Sequence, residues 1–372
     1  MSKKVLLATR PLVPPWDEAS KNFAYFLGRE VKNHALTLLT TKTALEGLPE
    51  TVSEKPLFPS GHFNLRAKWN LFQYLRKVRD TFDITHYLFT PTKQNTSLIR
   101  KFALPRKGKT IQTIATLRDD LYSADDICSM LFADALVTYT KKTKGKLEAL
   151  GFHNVHTIYP GIDLQRFRPQ EKSETLLSQF DITKEQFIVM YPGEYVRLGA
   201  TDMITDALIS FFSQNPETDI RFVFACRVKN EADKKKKEEV RKRLLDANVL
   251  GYITFSDTVS DMGALYNTAD VIIFPVTDLH GKFDVPLVII EAYACAKPVI
   301  LSSLPAFEEF SNEHICVTIP KGSSEELIKS IAELKQNVAL RTRISDEARR
   351  YAETYFDLHQ TAKEYEAIYD AL

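Results

Sequence analysis

A group of charged residues surrounds a predicted helix start in the second half of the chain. Lys282 and Asp284 precede Pro286, and Glu291 follows it within the next two turns. Proline is pre-organised for the first turn of a helix, and the free amides of such a turn can hold an anionic group. A purely structural segment has little need of this charge. We therefore expect the active site to lie here.

The elements around this group form a predicted strand–helix–strand unit. The apolar run 270–274 predicts a strand, and the polar loop after it leads into the helix that follows Pro286. Lys297-Pro298 ends that helix, because proline cannot continue it. The run 299–301 is then the next buried strand.

The same alternation of strands and helices runs through the whole chain and predicts an α/β fold. Alternating strands and helices are typical of parallel, doubly wound sheets, which bind ligands at the carboxyl ends of their strands. The other predicted strands are 4–9, 34–40, 84–89, 110–114, 135–139, 186–191, 221–225 and 251–255.

A length of 372 residues is too great for one ordinary core and predicts two Rossmann-like domains that face a central cleft. We expect an N-terminal, acceptor-side domain over residues 1–165 and a C-terminal, donor-side domain over 166–355. Residues 356–372 are predicted as a helix that packs back on the first domain.

The composition is that of a soluble globular protein, with 44% hydrophobic and 26% charged residues and a net charge of +1. No apolar run approaches the ~18 residues of a membrane span, and the N-terminal strand is too short for a signal peptide. The four cysteines form no CxxC pair, which argues against a zinc site or a disulfide framework. We expect a cytoplasmic protein.

Positive charge is concentrated in the first half of the chain. Residues 61–110 contain eleven Lys or Arg and two Asp, and a predicted basic helix over 64–81 carries Trp69. This pattern suggests an anionic partner, for which a membrane surface in contact with residues 64–109 is one interpretation. A solvated helix face is the other, and no nucleic acid is expected. The run Lys234–Lys237, which acidic residues flank, is interpreted as a solvated face.

Four residues of the first domain are weaker candidates for contacts with an acceptor. Asp17, Glu18 and Ser20 precede or begin a predicted helix over 22–32, and they are at least as well explained as helix caps. His86 lies within a predicted strand, where a core histidine is the ordinary explanation.

Three motifs carry a resemblance to a known family. The first runs from Ala133-Asp134 to Phe167-Arg168-Pro169 and includes Pro160-Gly161-Ile162-Asp163. The second is Tyr191-Pro192-Gly193-Glu194, with Arg197 and Gly199. The third runs from Tyr266 to Pro275 and continues through Glu291-Ala292-Tyr293-Ala294-Cys295-Ala296-Lys297-Pro298. In this order they resemble the retaining nucleotide-sugar glycosyltransferases of family 4, the group 1 type, which have the GT-B fold.

The resemblance implies a donor site in the second domain. Glu291 matches the family's glutamate that accepts hydrogen bonds from the ribose hydroxyls of the donor. The amides after Pro286, at Leu287 and Val288, would hold the donor diphosphate. Gly193 and Glu194 would lie in the loop that opens the donor domain.

The chain departs from the family pattern at several of these positions. Phe283 stands where the family has a glutamate that contacts the transferred sugar, so Asp284 would replace that carboxylate with Lys282 beside it. Glu194 and Leu198 stand where the donor loop has an arginine and a lysine. Arg197 is then the only cation nearby, with Arg227 and Lys229 as possible substitutes.

Two departures fall in the first domain. Ala19-Ser20 occupies the place of a Gly-Gly turn, and Ala115 the place of a histidine often assigned to the reacting centre. These changes leave two functions open. The resemblance implies a retaining transferase that uses a UDP- or GDP-sugar and a sugar, glycan or lipid-linked acceptor. The alternative is a related protein that has lost catalysis and serves as a binding or scaffolding partner.

A glycosyl transfer of this kind releases an anionic diphosphate through an oxocarbenium-like state. Helix N-termini and Arg or Lys side chains can stabilise that leaving group, so no metal or other cofactor is expected. Arg197, Lys282 and Asp284 are the residues we expect at the reacting centre.

Overall fold

The computed structural model describes the whole chain except residues 1, 15, 17, 257, 258, 260 and 280–283, and the side chain of Ala19. Asp17 and Lys282, both predicted site residues, therefore lie outside the described residues. The contacts divide the chain into two compact units. The first comprises Met1–Asp163, Gly281–Val285 and Phe356–Leu372, and the second comprises Leu164–His280 and Pro286–Tyr355. Asp284 and Val285 thus group with the first unit, whereas the sequence predicts them within the domain over 166–355.

The first unit is built on a parallel sheet of seven strands in the order β3-β2-β1-β4-β5-β6-β7. The strands are β1 Lys4–Leu12, β2 Ala35–Thr40, β3 Val52–Pro56, β4 Ile84–Tyr87, β5 Lys109–Ile114, β6 Ala135–Thr138 and β7 Val155–Thr157. The helices are α1 Ala19–Glu30, α2 Leu65–Val78, α3 Lys93–Phe102, α4 Ala124–Met130 and α5 Lys141–Ala149.

The second unit has a parallel sheet of six strands in the order β10-β9-β8-β11-β12-β13. Its strands are β8 Phe187–Tyr191, β9 Ile220–Ala225, β10 Ile253–Ser256, β11 Val271–Phe274, β12 Val299–Ser302 and β13 Val317–Ile319. Its helices are α6 Glu174–Phe180, α7 Thr201–Gln214, α8 Glu231–Asp246, α9 Met262–Thr268, α10 Leu287–Ala294, α11 Ser324–Gln336 and α12 Val338–Tyr355. The last helix of the chain, α13 Leu358–Ala371, groups with the first unit.

Buried apolar runs form the central strands, as expected for parallel sheets covered on both faces. Every residue of β8, β11 and β12 is buried. In the second sheet the strand order reverses between β8 and β11, so the loops that follow these two strands meet at the switch point where such folds bind ligands. In the first sheet the reversal lies between β1 and β4.

Four strands differ from the sequence prediction, and one of them, the three-residue β7, was not predicted. β1 extends to Leu12, whereas the sequence predicts that the strand ends at residue 9. Its register with β2 shifts between Leu7 and Leu12. β3 was missed because its sequence, VSEKP, is mostly exposed and lacks an apolar alternation. Polar, charged side chains are usual on such an edge strand, because they discourage pairing with other chains. β13 was missed because only three residues form it.

None of the described helices is long and apolar enough to cross a membrane.

Candidate functional site

The loop after β8, residues 192–199, is held in one conformation by its own close contacts. Gly193 packs so tightly on Tyr191 that a Cβ there would lie 2.0 Å from the ring of Tyr191. Gly199 has φ +67°, and a Cβ there would lie 2.2 Å from Oγ1 of Thr277. The amide of Thr277, just beyond β11, donates to the carbonyl of Leu198 at 3.0 Å. The loop is therefore tied to both strands of the switch point.

Glu194 points its carboxylate at a lysine from the neighbouring strand's loop. Nζ of Lys229 lies 2.7 Å from Oε1 of Glu194. The Glu194 side chain is 10% exposed, whereas the Lys229 side chain is 38% exposed. Glu194 therefore orients Lys229. Together with Arg227, two positions earlier, Lys229 places positive charge in the loop after β9.

Two other predicted residues lie in the loops of this region. Arg197 is exposed on the 192–199 loop, and Arg227 is partly buried after β9. Both belong to the loops at the carboxyl edge of the second sheet, as the sequence predicts.

The start of α10, where the sequence predicts an anion site, has no side-chain cap. Pro286 is the N-cap residue, not the first helical residue. The amides of Leu287 and Val288 belong to the first turn, whose N–H groups have no acceptor within a helix. Both side chains are partly exposed. The helix start therefore offers amide donors and the positive end of the helix dipole to an anion.

Glu291 lies on α10 beside a buried tyrosine. Oη of Tyr266 donates to Oε2 of Glu291 at 2.8 Å, and Tyr266 is fully buried on α9. Burial raises the pKa of Glu291 to about 7, while the Tyr266 hydrogen bond and the attraction of Arg166 oppose that rise. Glu291 itself stays partly exposed. The hydroxyl of Tyr266 thus holds this carboxylate in orientation.

Sequence reasoning missed Tyr266 and Arg166 as partners of Glu291. Tyr266 was visible as a tyrosine on a short apolar helix, and a buried tyrosine hydroxyl usually finds a partner. Arg166 carries no such signal in the sequence.

Asp284 contacts residues of the first unit. Its Oδ2 accepts a hydrogen bond from Oγ1 of Thr143 at 2.6 Å, and its amide donates to the carbonyl of Ala115 at 2.9 Å. Burial raises the pKa of Asp284 to about 6, against hydrogen bonds from Thr143 and the Leu117 amide. Thr143, at the start of α5, is a partner that the sequence did not indicate.

The acceptor-side predictions need two corrections. His86 is fully buried, and its ring nitrogens contact Oη of Tyr369 at 2.8 Å and Oγ1 of Thr113 at 2.7 Å. Burial lowers the pKa of His86 to about 3. His86 is therefore a core residue, and its ring is not accessible to an acceptor.

The second correction concerns the helix caps. Glu18 is the N-cap residue of α1, yet its side chain makes no capping hydrogen bond and instead pairs with Arg10. Ser20 lies in the first turn of α1 and is partly exposed. Both residues follow β1 at the carboxyl edge of the first sheet, where an acceptor contact remains a prediction.

Among the described residues, no group of three or more His, Cys, Asp or Glu side chains is arranged to hold a metal ion.

Comparison with known proteins finds a glycosyltransferase match in the second half of the chain. Residues 186–337 match the family model described as "Glycosyl transferases group 1". The chain is 23% identical over 205 residues to a D-inositol 3-phosphate glycosyltransferase of Streptomyces bingchenggensis, which covers 54% of this chain and 44% of that protein. The chain spans about half the length of the curated relatives it matches.

Solved structures resemble the whole chain. The structure of Anabaena HepE in complex with UDP-glucose superposes with a TM-score of 0.74 at 15% identity, covering 100% of both chains. Sucrose-phosphate synthase from Thermosynechococcus elongatus gives a TM-score of 0.74 at 14% identity, covering 99% of this chain and 98% of that one. The protein has the GT-B fold of glycosyltransferases, with two parallel-sheet, Rossmann-like units and a group 1 glycosyltransferase match in its second half.

Proposed function

We propose that the protein is a retaining glycosyltransferase of family 4 that uses a nucleotide-diphosphate sugar, most simply a UDP-sugar. The observation that carries the proposal is the Glu291–Tyr266 pair on α10 and α9, in the same unit as the uncapped start of α10. A carboxylate suits ribose hydroxyls, and free amides at a helix start suit a diphosphate. The family match covers this region, and HepE was solved with UDP-glucose.

The proposed reaction breaks the bond between the anomeric carbon and the diphosphate oxygen. The same carbon forms a bond to an acceptor hydroxyl oxygen, which loses its proton. Positive potential at the departing diphosphate lowers the barrier. We assign that potential to the α10 amides, Lys229, Arg197 and Arg227, and we expect transfer that does not require an added metal.

Donor binding is the direct test. Thermal shifts across UDP-, GDP- and other nucleotide sugars should show stabilisation by one nucleotide class, because a ligand that binds only the folded state raises Tm. Glu291→Ala should abolish that shift and leave the Tm of the unliganded protein near that of the wild type. If no nucleotide sugar shifts Tm and none is hydrolysed slowly, the proposed function is wrong.

The acceptor is proposed only as a class: a hydroxyl of a sugar, a glycan or a lipid-linked sugar. A lipid-linked acceptor would bring the protein to the inner face of a membrane, through residues 64–109. We propose a cytoplasmic setting, which the four free thiols support.

The second candidate is a GT-B protein without catalysis that binds a partner. It is favoured by the carboxylate of Glu194, which occupies the place of a cation and is paired with Lys229. Binding of a nucleotide sugar with no turnover in the presence of varied acceptors would support this candidate.

A further inference from the structure

The helices α2 and α3 of the first unit expose an apolar strip. Leu65 is 84% exposed, Trp69 57%, Leu98 44% and Phe102 40%. These are four of the nine large apolar side chains that are exposed in the described part of the chain. Single exposed apolar residues are ordinary, whereas a cluster of them indicates an interaction surface.

The strip is continuous across the two helices. Leu65, Trp69 and Phe72 recur at helical spacing along α2. Phe72 is partly buried and packs against the core that contains Ala67, Leu71 and Leu75. The rings of Trp69 and Phe72 lie 5.6 Å apart, and those of Phe72 and Phe102 lie 6.4 Å apart. Phe72 therefore joins the exposed residues of α2 to those of α3.

Basic side chains surround this strip. Ten of the eleven Lys and Arg residues between 61 and 110 are exposed. Within the described residues, eight of the eleven form no ion pair: Arg66, Lys68, Arg76, Lys77, Arg100, Lys101, Arg106 and Lys107. Nζ of Lys101 lies 5.2 Å from the centre of the Phe102 ring, so charge and apolar surface are interleaved.

We infer that this face, formed by α2, α3 and the 104–109 loop, docks on an anionic lipid bilayer. Lys and Arg near a membrane are attracted to anionic headgroups, while Trp, Phe and Leu side chains insert at the boundary with the acyl chains. A protein partner would be expected to cover apolar surface with fewer lysines, since lysine is depleted in protein interfaces. The basic, tryptophan-bearing composition of the face therefore favours a bilayer over a protein.

Fluorescence can test insertion at a defined residue, because the chain has only two tryptophans. Trp16 stacks on Tyr25, with ring centres 4.2 Å apart, so Trp16→Phe keeps that contact and leaves Trp69 as the sole tryptophan. We expect vesicles of phosphatidylcholine with roughly a third phosphatidylserine to shift the Trp69 emission to shorter wavelength. Vesicles of phosphatidylcholine alone should shift it little. The shift should weaken as salt concentration rises.

Charge reversal tests whether vesicle binding depends on the basic residues of this face or only on the net charge of the protein. The triple variant Arg66→Glu, Arg76→Glu and Lys77→Glu should weaken sedimentation with anionic vesicles on the order of 100-fold, because each basic residue near the surface contributes about 1 kcal/mol. The matched control reverses Lys234, Lys235 and Lys242, which are exposed on α8 of the second unit. That control carries the same net charge and should bind as the wild type does.

The apolar contribution has its own matched pair. Leu65→Ser should reduce vesicle binding several-fold, whereas Leu245→Ser, at a leucine 58% exposed on α8, should not. Vesicle binding is measured without donor, and Glu291→Ala should bind vesicles as the wild type does. A failure of this inference is therefore distinguishable from a failure of the proposed function.

Three outcomes would overturn the inference. One is the absence of binding to anionic vesicles; another is an equal loss of binding in the α2 variant and its α8 control. The third is retention on immobilised heparin without any vesicle binding, which would indicate a soluble polyanion as the partner.

Discussion

The hydroxyl of Tyr266 donates a hydrogen bond of 2.8 Å to Oε2 of Glu291. Burial raises the pKa of Tyr266 well above its ordinary value, so the phenol keeps its proton and remains a donor. The bond favours the ionised form of Glu291, while burial favours the neutral form. The balance leaves the pKa of Glu291 at about 7, which makes this carboxylate sensitive to small changes near neutral pH.

Donor affinity should depend on pH through Glu291. Ribose hydroxyls donate hydrogen bonds more strongly to a carboxylate than to a neutral acid. We expect nucleotide-sugar affinity to fall about tenfold for each pH unit below 7, because protonation then competes with binding. Calorimetric titration between pH 5.5 and 8 measures this. Glu291→Gln should bind weakly with a flat profile; a wild-type profile that is also flat would contradict the assignment.

The stability of the unliganded protein should change in the opposite direction. The pKa of Glu291 is about 7 in the folded state against an ordinary value of 4.5, so between these values the folded state binds more protons than the unfolded state. The contribution of Glu291 to stability is therefore lost as pH rises from 4.5 through 7. Asp284 has the same sign, so the comparison is between wild type and Glu291→Gln. Their difference in free energy of unfolding should vary over that pH range.

Tyr266→Phe should move the pH dependence without removing the carboxylate. Loss of the phenol removes a hydrogen bond to the charged form of Glu291, and such bonds contribute about 1.5–3 kcal/mol. We expect the pKa of Glu291, and with it the midpoint of the donor-affinity profile, to rise by about one unit or more. At pH 8.5 affinity should return close to the wild-type value. A uniform loss of affinity at all pH values would indicate a packing defect instead.

Sequence periodicity predicted most of the fold because buried parallel strands are continuous apolar runs. β8 and β11 were placed to within one residue by this signal. The last helix was predicted from residue 356, and α13 begins at Leu358, where the Asp357 carboxylate accepts a capping hydrogen bond from the amide of His359. Edge strands such as β3 were missed, since their side chains face solvent and carry no apolar pattern.

The candidate site was only partly predictable for a related reason. Sequence patterns identify residues on one element, such as Glu291 on its helix, but not the partner that a different element brings to it. Tyr266 is 25 positions from Glu291, and Thr143 is 141 positions from Asp284. His86 shows the converse: its residue type suggested chemistry, but both of its ring nitrogens are engaged in the core.

Lys229→Met should destabilise the second unit. It leaves the Glu194 carboxylate, which is 10% exposed, without its lysine. Because Lys229 is itself more than a third exposed, we expect a loss of about 1–2 kcal/mol in urea unfolding, less than for a fully buried pair. Lys184→Met is the matched control. Its partner Glu171 is 88% exposed, so Lys184→Met should cause no measurable loss of stability.

The effect of Lys229 on stability can be separated from its effect on nucleotide-sugar affinity. Glu194→Gln with Lys229→Met should recover much of the lost stability, because the carboxylate that Lys229 balanced is replaced by a neutral amide. Nucleotide-sugar affinity should stay low in this double variant if Lys229 contacts the diphosphate. Full recovery of affinity together with stability would restrict Lys229 to a structural role.

Gly199→Ala should lower both stability and donor affinity. The residue has φ +67°, a conformation that costs a residue with a Cβ about 1–2 kcal/mol, and the new Cβ would lie 2.2 Å from Oγ1 of Thr277. We expect urea unfolding to show a loss of about 2 kcal/mol or more. Gly145→Ala is the control: Gly145 lies within α5 with open space around it, and alanine there should stabilise by about 0.5–1 kcal/mol. Equal effects at the two glycines would contradict this account of the 192–199 loop.

Asp284→Asn and Thr143→Val together decide whether Asp284 takes part in the reaction. If Asp284 replaces the missing sugar-contacting carboxylate, Asp284→Asn should lower kcat about 100-fold, in the range of single charged groups in active sites. Thr143→Val keeps the Asp284 carboxylate but removes the Thr143 hydrogen bond, which opposes the effect of burial on the pKa of Asp284. The pKa of Asp284 should therefore rise above about 6. The acid limb of the kcat profile should then move to higher pH while the plateau value is retained. If Asp284 only anchors its segment to the first unit, both variants should lower Tm by similar amounts and leave the kcat profile of the wild type in place. The two outcomes exclude each other. Loss of a purely structural hydrogen bond would not shift the acid limb of the kcat profile while leaving its plateau value unchanged.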